Sequence, residues 1–295
     1  MNPTAANAPL LVFVHLRKTA GTTVSYVMWR QFRGKEIVNL NAPSLELAHQ
    51  KWHALPAERR AEIKAIRGHL PFSRDLFAPR QTTCFTLLRD PVERVISEYY
   101  FQLRNASEKL HSGLIREGLT LDQFVRGESF ADVHNTQTRM LAGAPAQAAP
   151  GELLELAWVN LRDRIRVFGM RERFDESMLL FRQALGWRWI IYRPVNVNHR
   201  RPSIGAVDAE TVQAIERANA LDRELYSRAS SLFEERLRES GITESQVRAL
   251  GRISRAYGGL RRTIGMPREI WIEARMAIER HRVASRIRSG QPGRS

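Results

Sequence analysis

The sequence predicts an α/β fold: a central, largely parallel sheet flanked by helices, followed by a helical, basic C-terminal extension. Three observations predict it. The segment LLVFV, Leu10–Val14, is five apolar residues in a row, short and partly β-branched, as expected of a strand buried on both faces. The segment TTCFTLL, Thr82–Leu88, is the clearest second strand. Each run passes through a turn with Gly or Pro straight into a helical stretch, and strands alternating with helices point to a parallel sheet.

At the first junction, His15-Leu-Arg-Lys-Thr-Ala-Gly-Thr-Thr23 separates the strand from a helix expected to start at Thr22 or Thr23 and to run to about residue 32. A strand feeding a helix through such a turn leaves backbone N–H groups without partners where the helix dipole is positive, which makes an anion site. Lys18 and Arg17 add full charges beside it. Thr19, Thr22 and Thr23 add hydroxyl donors, and Gly21 permits close approach of a phosphate. The residues alone leave an ordinary alternative: Thr22 or Thr23 as a plain N-cap, with Lys18 and Arg17 as solvated loop charges. The density of donors within nine residues favours a phosphorylated ligand. The loop is not a Walker A motif, because Lys18 precedes Gly21 by three residues instead of following the glycines.

The second junction is Arg89-Asp-Pro-Val-Glu93. Asp90 reads as N-cap, Pro91 as the first helical residue and Glu93 as the capping-box partner, with the helix continuing to about residue 104. Arg89 ends the strand and Ser97 lies eight residues on, in the second turn of the helix. Ligands of open α/β sheets bind at the carboxyl ends of strands, so the two junctions share one edge if their strands are neighbours. The alternative for Arg89 is a charge paired with Asp90 or Glu93, and for Ser97 a solvated helix position.

The other elements follow the same logic. Residues 36–40 read as a short strand and 44–66 as helices, Pro56 opening the second of them. Gly68 and Pro71 break that pattern and leave His69 in the break. Residues 106–134 read as loop and short helix, 135–141 as a helix, 142–151 as a loop and 152–162 as a helix. Residues 166–170 read as a strand, 174–185 as a helix, 187–192 as the last strand, 196–202 as a basic loop, and 208–240 as one long helical stretch.

A chain of 295 residues holds one large domain or two small ones. Its one cysteine, Cys84, sits in the second apolar run; it excludes intrachain disulfides and suits a reducing compartment. No apolar run approaches the roughly 18 residues of a membrane span. Residues 1–9 carry no basic side chain, unlike a signal peptide, so a cytoplasmic chain is expected. Residues 241–295 hold twelve arginines, no lysine and four glutamates, so this stretch carries +8 of the net +15. It divides the chain into a domain over 1–240 and an Arg-rich extension over 241–295. Such charge favours acidic partners. The segment 267–288 reads as a helix without one clean apolar stripe. It is either a terminal helix with a solvated arginine side or a peripheral docking segment for an anionic membrane surface or an acidic glycan.

Taken together, these residues resemble a known family. The first junction resembles the 5'-phosphosulfate loop, and Leu88-Arg-Asp-Pro-Val-Glu-Arg-Val-Ile-Ser-Glu-Tyr99 the 3'-phosphate motif, of sulfotransferases that use 3'-phosphoadenosine-5'-phosphosulfate. The similarity is to the carbohydrate sulfotransferases, the group with the heparan sulfate 2-O and 6-O enzymes, and it extends over about residues 10–235. Gly68-His69, Asn135-Thr-Gln-Thr-Arg-Met-Leu-Ala-Gly143, Phe168-Gly-Met-Arg-Glu-Arg-Phe-Asp-Glu-Ser177 and Asn198-His-Arg-Arg-Pro202 add to it. The resemblance implies the P-loop-like sulfotransferase fold and sulfuryl transfer to a hydroxyl on a carbohydrate-type acceptor. It implies Lys18 at the oxygen bridging sulfur and the 5'-phosphate, and Thr19, Gly21, Thr22 and Thr23 around that phosphate. Arg89 and Ser97 would grip the 3'-phosphate, the loop with Arg200 and Arg201 would close over the nucleotide, and His69 would take the acceptor's proton. Arg17 stands where many members have proline and adds a cation, and Arg67 stands where some relatives have a second histidine. His15 is the rival base and Glu98 a weaker one. Sulfuryl transfer carries less charge than phosphoryl transfer, so no metal is expected.

Two further classes stay open in the sequence. One is a nucleotide kinase, with Asp90 read as a Walker B carboxylate. The other is a basic nucleic-acid-binding protein, although no known module for that role is visible.

Overall fold

The computed structural model describes residues 9–104, 117–127, 133–143, 148–193 and 204–263. Five strands, β1 Leu10–Val14, β2 Ile37–Asn39, β3 Ala65–Gly68, β4 Thr82–Leu88 and β5 Val167–Met170, form one sheet in the order β2-β3-β1-β4-β5. Every pairing is parallel. β1 and β4 are neighbours, in a register that sets Leu10 beside Thr82 and Val14 beside Thr86. Both predicted junctions therefore open on the same carboxyl edge.

The helices of the described residues are α1 Gly21–Gln31, α2 Leu45–His53, α3 Ala57–Glu62, α4 Pro91–Arg104, α5 Leu121–Arg126, α6 Thr136–Ala142, α7 Pro150–Val159, α8 Phe174–Leu185, α9 Ala209–Ala218, α10 Ala220–Glu239 and α11 Glu244–Thr263. The sheet is covered by aromatic packing. Phe13 stacks on Phe85 with centroids 4.7 Å apart, and Phe85 meets Phe181 and Trp187 edge-on at 5.2 and 5.4 Å. A smaller cluster joins Val95, Ile96 and Tyr99 of α4 to Phe124 and Ile215, so α4 is packed against a helical layer.

Three expectations need correction. The helix expected through residue 66 ends at Glu62, and Ala65–Gly68 is a strand. That strand has no apolar run to announce it: Arg67 is buried within it, its guanidinium 5.8 Å over the Trp29 ring. Gly68 is required there, since a Cβ would lie 1.8 Å from the carbonyl oxygen of Leu40. Residues 187–192 are irregular and do not form a strand. Their backbone is satisfied by side chains of α1: Gln31 Nε2 donates to Trp189 O at 2.6 Å, Gln31 Oε1 accepts from Arg188 N at 3.2 Å, and Arg30 Nη1 donates to Ile191 O at 2.9 Å. The stretch 208–240 is two helices, broken at the buried Asn219.

That break serves a buried polar network. Arg94, 1 % exposed, donates to Val133 O and, at 3.2 Å, to Asn219 Oδ1, and its Nε lies 3.8 Å from Asp222. Asp222 also accepts from the backbone N–H groups of Gln137 and Thr138 and from the Thr138 hydroxyl, at 3.2, 2.7 and 2.8 Å. Asn135 closes the network, its Oδ1 accepting from Leu221 and Asp222 N–H at 3.0 and 3.1 Å. The network locks α4, α6 and the α9–α10 junction together. α11 spans the start of the charge-defined extension and packs on α8, with Leu250 and Ser254 buried. The helix expected over 267–288 and the loop with Arg200 and Arg201 lie outside the described residues. Among the described residues no helix is long and apolar enough to cross a membrane.

Replacing Asp222 by Ala leaves the Arg94 charge buried without its carboxylate. Urea unfolding is expected to show a loss of about 3–5 kcal/mol, the range for a broken buried pair. A loss below about 1 kcal/mol, the value of an exposed pair, would contradict this account of the network.

Candidate active site

The β1–α1 loop turns sharply because Lys18 and Ala20 both adopt left-handed backbone, at φ 65° and 67°. α1 begins one to two residues earlier than expected, at Gly21 with Ala20 as its cap residue. Neither a side-chain cap among the described residues nor an acidic residue in the first turn competes for its N–H groups. Such a helix start attracts an anion. Gly21 has a reason beyond ligand approach: a Cβ there would lie 1.9 Å from the His15 ring. Thr22 is half-buried and Thr23 is buried within the first turn. Thr19 is fully buried and its hydroxyl donates to Leu16 O at 2.9 Å, so that side chain braces the loop.

The second junction reaches the first. Arg89 Nη1 donates to the backbone carbonyl of Lys18 at 2.9 Å, across 71 residues of chain. Its Nη2 donates to Glu93 at 2.9 Å and its Nε lies 4.0 Å from Glu172, with the side chain 5 % exposed. The pairing with Glu93 anticipated as the ordinary role of Arg89 is thus present, in the same side chain that joins the two motifs. Asp90 caps α4 as expected, accepting from Glu93 N–H at 2.9 Å. The backbone of Arg89 is itself held by Gln137, which accepts from Arg89 N at 2.9 Å and donates to Arg89 O at 2.8 Å.

One face of α4 covers the loop. Ser97 is half-buried there. Beside it, Glu98 accepts from Arg17 at 2.8 and 3.4 Å and from Gln102 at 2.6 Å. Burial alone would raise the Glu98 carboxyl pKa, but the charge and hydrogen bond of Arg17, with help from Lys18 and Gln102, hold it below its ordinary value. Arg17 therefore braces the loop through Glu98. Lys18 Nζ sits 3.4 Å from the centre of the Phe101 ring, a cation–π contact one turn further along α4.

His69 directly follows β3, on the same edge. Its Nδ1 lies 2.6 Å from His15 O and its ring is 4.1 Å from the His15 ring. A carbonyl only accepts, so Nδ1 carries the proton and the Nε2 lone pair is left to accept one. Burial, then the Arg17 charge, bring its pKa down to about 4. His15 is lowered as well, by burial and by His69, Arg67, Arg17 and Lys18. Burial is the larger cause of both shifts, and the neighbouring Arg17 and Arg67 charges add to it.

The structure thus brings Arg17, Lys18, Thr19, Gly21, Thr22, Thr23, His69 and Arg89 to one edge, with Ser97 on the helix beside them, while Arg200 and Arg201 lie outside the described residues. Gln137 and Phe101 were not singled out from sequence. Gln137 stands inside the Asn135–Gly143 motif, and Phe101 falls four residues after Ser97, one turn away on the same helix face.

Replacing Glu98 by Gln removes the charge that balances Arg17. Its lowered pKa means that the stabilisation is present above 4.5, the ordinary value, and is lost as pH falls through the folded value. Wild type is expected to lose more stability between pH 5 and pH 3 than Glu98→Gln, in urea titrations at each pH. Parallel losses would show that the pair does not hold the loop.

The family model described as Galactose-3-O-sulfotransferase matches residues 2–262. Galactose-3-O-sulfotransferase 3 of Bos taurus is 28 % identical over 263 residues, covering 81 % of this chain and 61 % of that protein. The Homo sapiens protein of that name is 27 % identical over 263 residues, with 81 % and 60 % covered. Heparan-sulfate 6-O-sulfotransferase 1 of Cricetulus griseus is 31 % identical over 276 residues, with 77 % and 68 % covered. The chain spans about three-fifths of the length of the galactose-3-O-sulfotransferases it matches. On the family match and these relatives, the chain belongs to the galactose-3-O-sulfotransferase family of carbohydrate sulfotransferases.

Proposed function

We propose that this chain transfers the sulfuryl group of 3'-phosphoadenosine-5'-phosphosulfate to a hydroxyl of a carbohydrate. The observation that carries the reading is the bond from Arg89 to the Lys18 carbonyl, which makes one cleft edge of two motifs far apart in sequence. The uncapped start of α1, without acidic residues and beside Lys18, fits the 5'-phosphosulfate end of the donor. Arg89 and Ser97 suit the 3'-phosphate end. The names of the relatives support a sugar as the acceptor class, with galactose and heparan sulfate as the first candidates.

The donor supplies an activated sulfuryl group and a nucleotide leaving group. In the displacement, the acceptor oxygen bonds to sulfur as the bond from sulfur to the bridging oxygen breaks. Lys18 stabilises the charge that builds on the leaving oxygen, as a fixed cation rather than a metal would. His69 takes the hydroxyl proton on Nε2 while His15 O holds Nδ1–H, fixing the tautomer. With a pKa of about 4, His69 is already neutral at pH 7 and needs no prior deprotonation. A kinase reading finds less support, because the Asp90 carboxylate caps α4.

Transfer of labelled sulfate to galactose-terminated and heparan-type acceptors tests the proposal. Lys18→Ala is expected to lower kcat by roughly 10²- to 10³-fold. The acid limb of kcat/KM is expected well below pH 6.5, the ordinary value for histidine, since His69 protonates only near 4. A full rate in Lys18→Ala would remove Lys18 from the mechanism.

A further inference from the structure

At the opposite end of the sheet lies a hollow of about 380 Å³, lined by Thr82 and Thr83 at the start of β4, by Arg162, Arg164 and Arg166 before β5, and by Arg236 of α10. β4 runs seven residues from here towards Arg89, which puts the hollow roughly 20 Å from the candidate active site. Its one lining carboxylate, Asp163, is already taken by Arg162, in two contacts of 2.7 Å. The lining keeps an excess of three positive charges.

The backbone explains why these arginines share one space. α7 ends in a π-helical turn, Asn160–Arg164, closed by Ile165 N–H to Asn160 O at 2.9 Å. Residues two apart on a regular α-helix point about 200° from each other, whereas Arg162, Arg164 and Arg166 all line the hollow. Single π turns of this kind concentrate at functional sites.

Arg236 supplies the observation that points to a ligand. Its Nη2 donates to Arg162 O at 2.7 Å and its guanidinium lies 5.0 Å over the Phe168 ring. Its Nη1 is shielded from solvent and has no hydrogen-bond acceptor among the described residues. Burial pushes its pKa down despite Glu239, Asp163 and Glu235 nearby, so those carboxylates leave its charge under-compensated. A buried guanidinium N–H without an acceptor is costly, and a tetrahedral oxyanion is the group that Arg forks match best.

We propose that this hollow is a second oxyanion site, and that its occupant is the sulfate ester of a sulfated sugar chain. The oxyanion chemistry stands on the hollow alone; the sugar rests on the function proposed above, whose product is a sulfated carbohydrate. Arg164, Arg166 and Arg236 hold the ester oxygens, and the Thr82 and Thr83 hydroxyls add donors. A chain bound here is anchored at the opposite end of the sheet from the reacting groups.

Calorimetric titration of the full chain with a sulfated oligosaccharide, its desulfated counterpart, sodium sulfate and sodium phosphate tests this. The sulfated oligosaccharide is expected to bind more tightly than the desulfated one, by a margin that shrinks as salt rises. The double variant Arg164→Gln, Arg166→Gln, at two exposed positions, is expected to weaken that binding at least about tenfold, and Arg236→Gln to do the same. Lys18→Ala is expected to leave it unchanged. Unaltered affinity in the double variant would overturn the site, and inorganic sulfate or phosphate binding as tightly as the oligosaccharide would overturn the sugar. Titration with 3',5'-adenosine bisphosphate separates the two readings, because its failure counts against the donor cleft and leaves the hollow untouched.

Discussion

A single guanidinium joins the two halves of this site. Arg89 ends one strand and donates to the backbone of Lys18 beyond the end of its neighbour, while Gln137 clamps the backbone of Arg89 from below with a donor and an acceptor. A backbone carbonyl has no rotamer to lose, so the bond sets the loop that carries the lysine and not the lysine head, which stays on the Phe101 ring. Arg17 and Glu98 make a second tie between the same loop and α4. The pocket edge is thus held by groups that are not all meant for the ligand.

That arrangement depends on polar groups far below it. Gln137 is in place because α6 is tied through Asp222 and Asn135 to the break between α9 and α10. Arg94, on the same helix as Ser97 and Glu98, enters the network from the other side. The motif around Asn135 therefore acts through structure: Gln137 holds the backbone at the end of β4, and the network ties in α4 through Arg94. Buried polar networks of this kind are stabilising only when nearly every member is satisfied.

Much of this was legible in the residues, and the reasons differ by element. β1 could be read because it is a continuous apolar run, and β4 because its apolar and β-branched residues lead straight into a capped helix; their parallel pairing follows from the helices between them. β3 could not, since its interior holds a charged residue and its neighbours are good helix formers. Residues 187–192 look like a strand because they are aromatic and branched, but Arg30 and Gln31 of α1 take the backbone bonds that a ladder would need. At the site, Arg17, Lys18, Thr19, Thr22 and Thr23 were visible as a density of donors within nine residues, and Arg89 as the residue that ends the second strand. The Arg17–Glu98 pair and the Gln137 clamp were not, because each depends on a contact across dozens of residues that no spacing rule encodes, and the bond from the Thr19 hydroxyl to Leu16 O depends on the turn the loop takes.

On the proposed function, the Lys18 turn and the Arg89 turn bind opposite phosphates of the same nucleotide. Isothermal titration with adenosine 3',5'-bisphosphate and with adenosine 5'-monophosphate tests it most directly. Tighter binding of the bisphosphate, with that advantage lost in Arg89→Leu and kept in Lys18→Ala, is the predicted result. Equal affinity for the two nucleotides, or an advantage that survives Arg89→Leu, would contradict it.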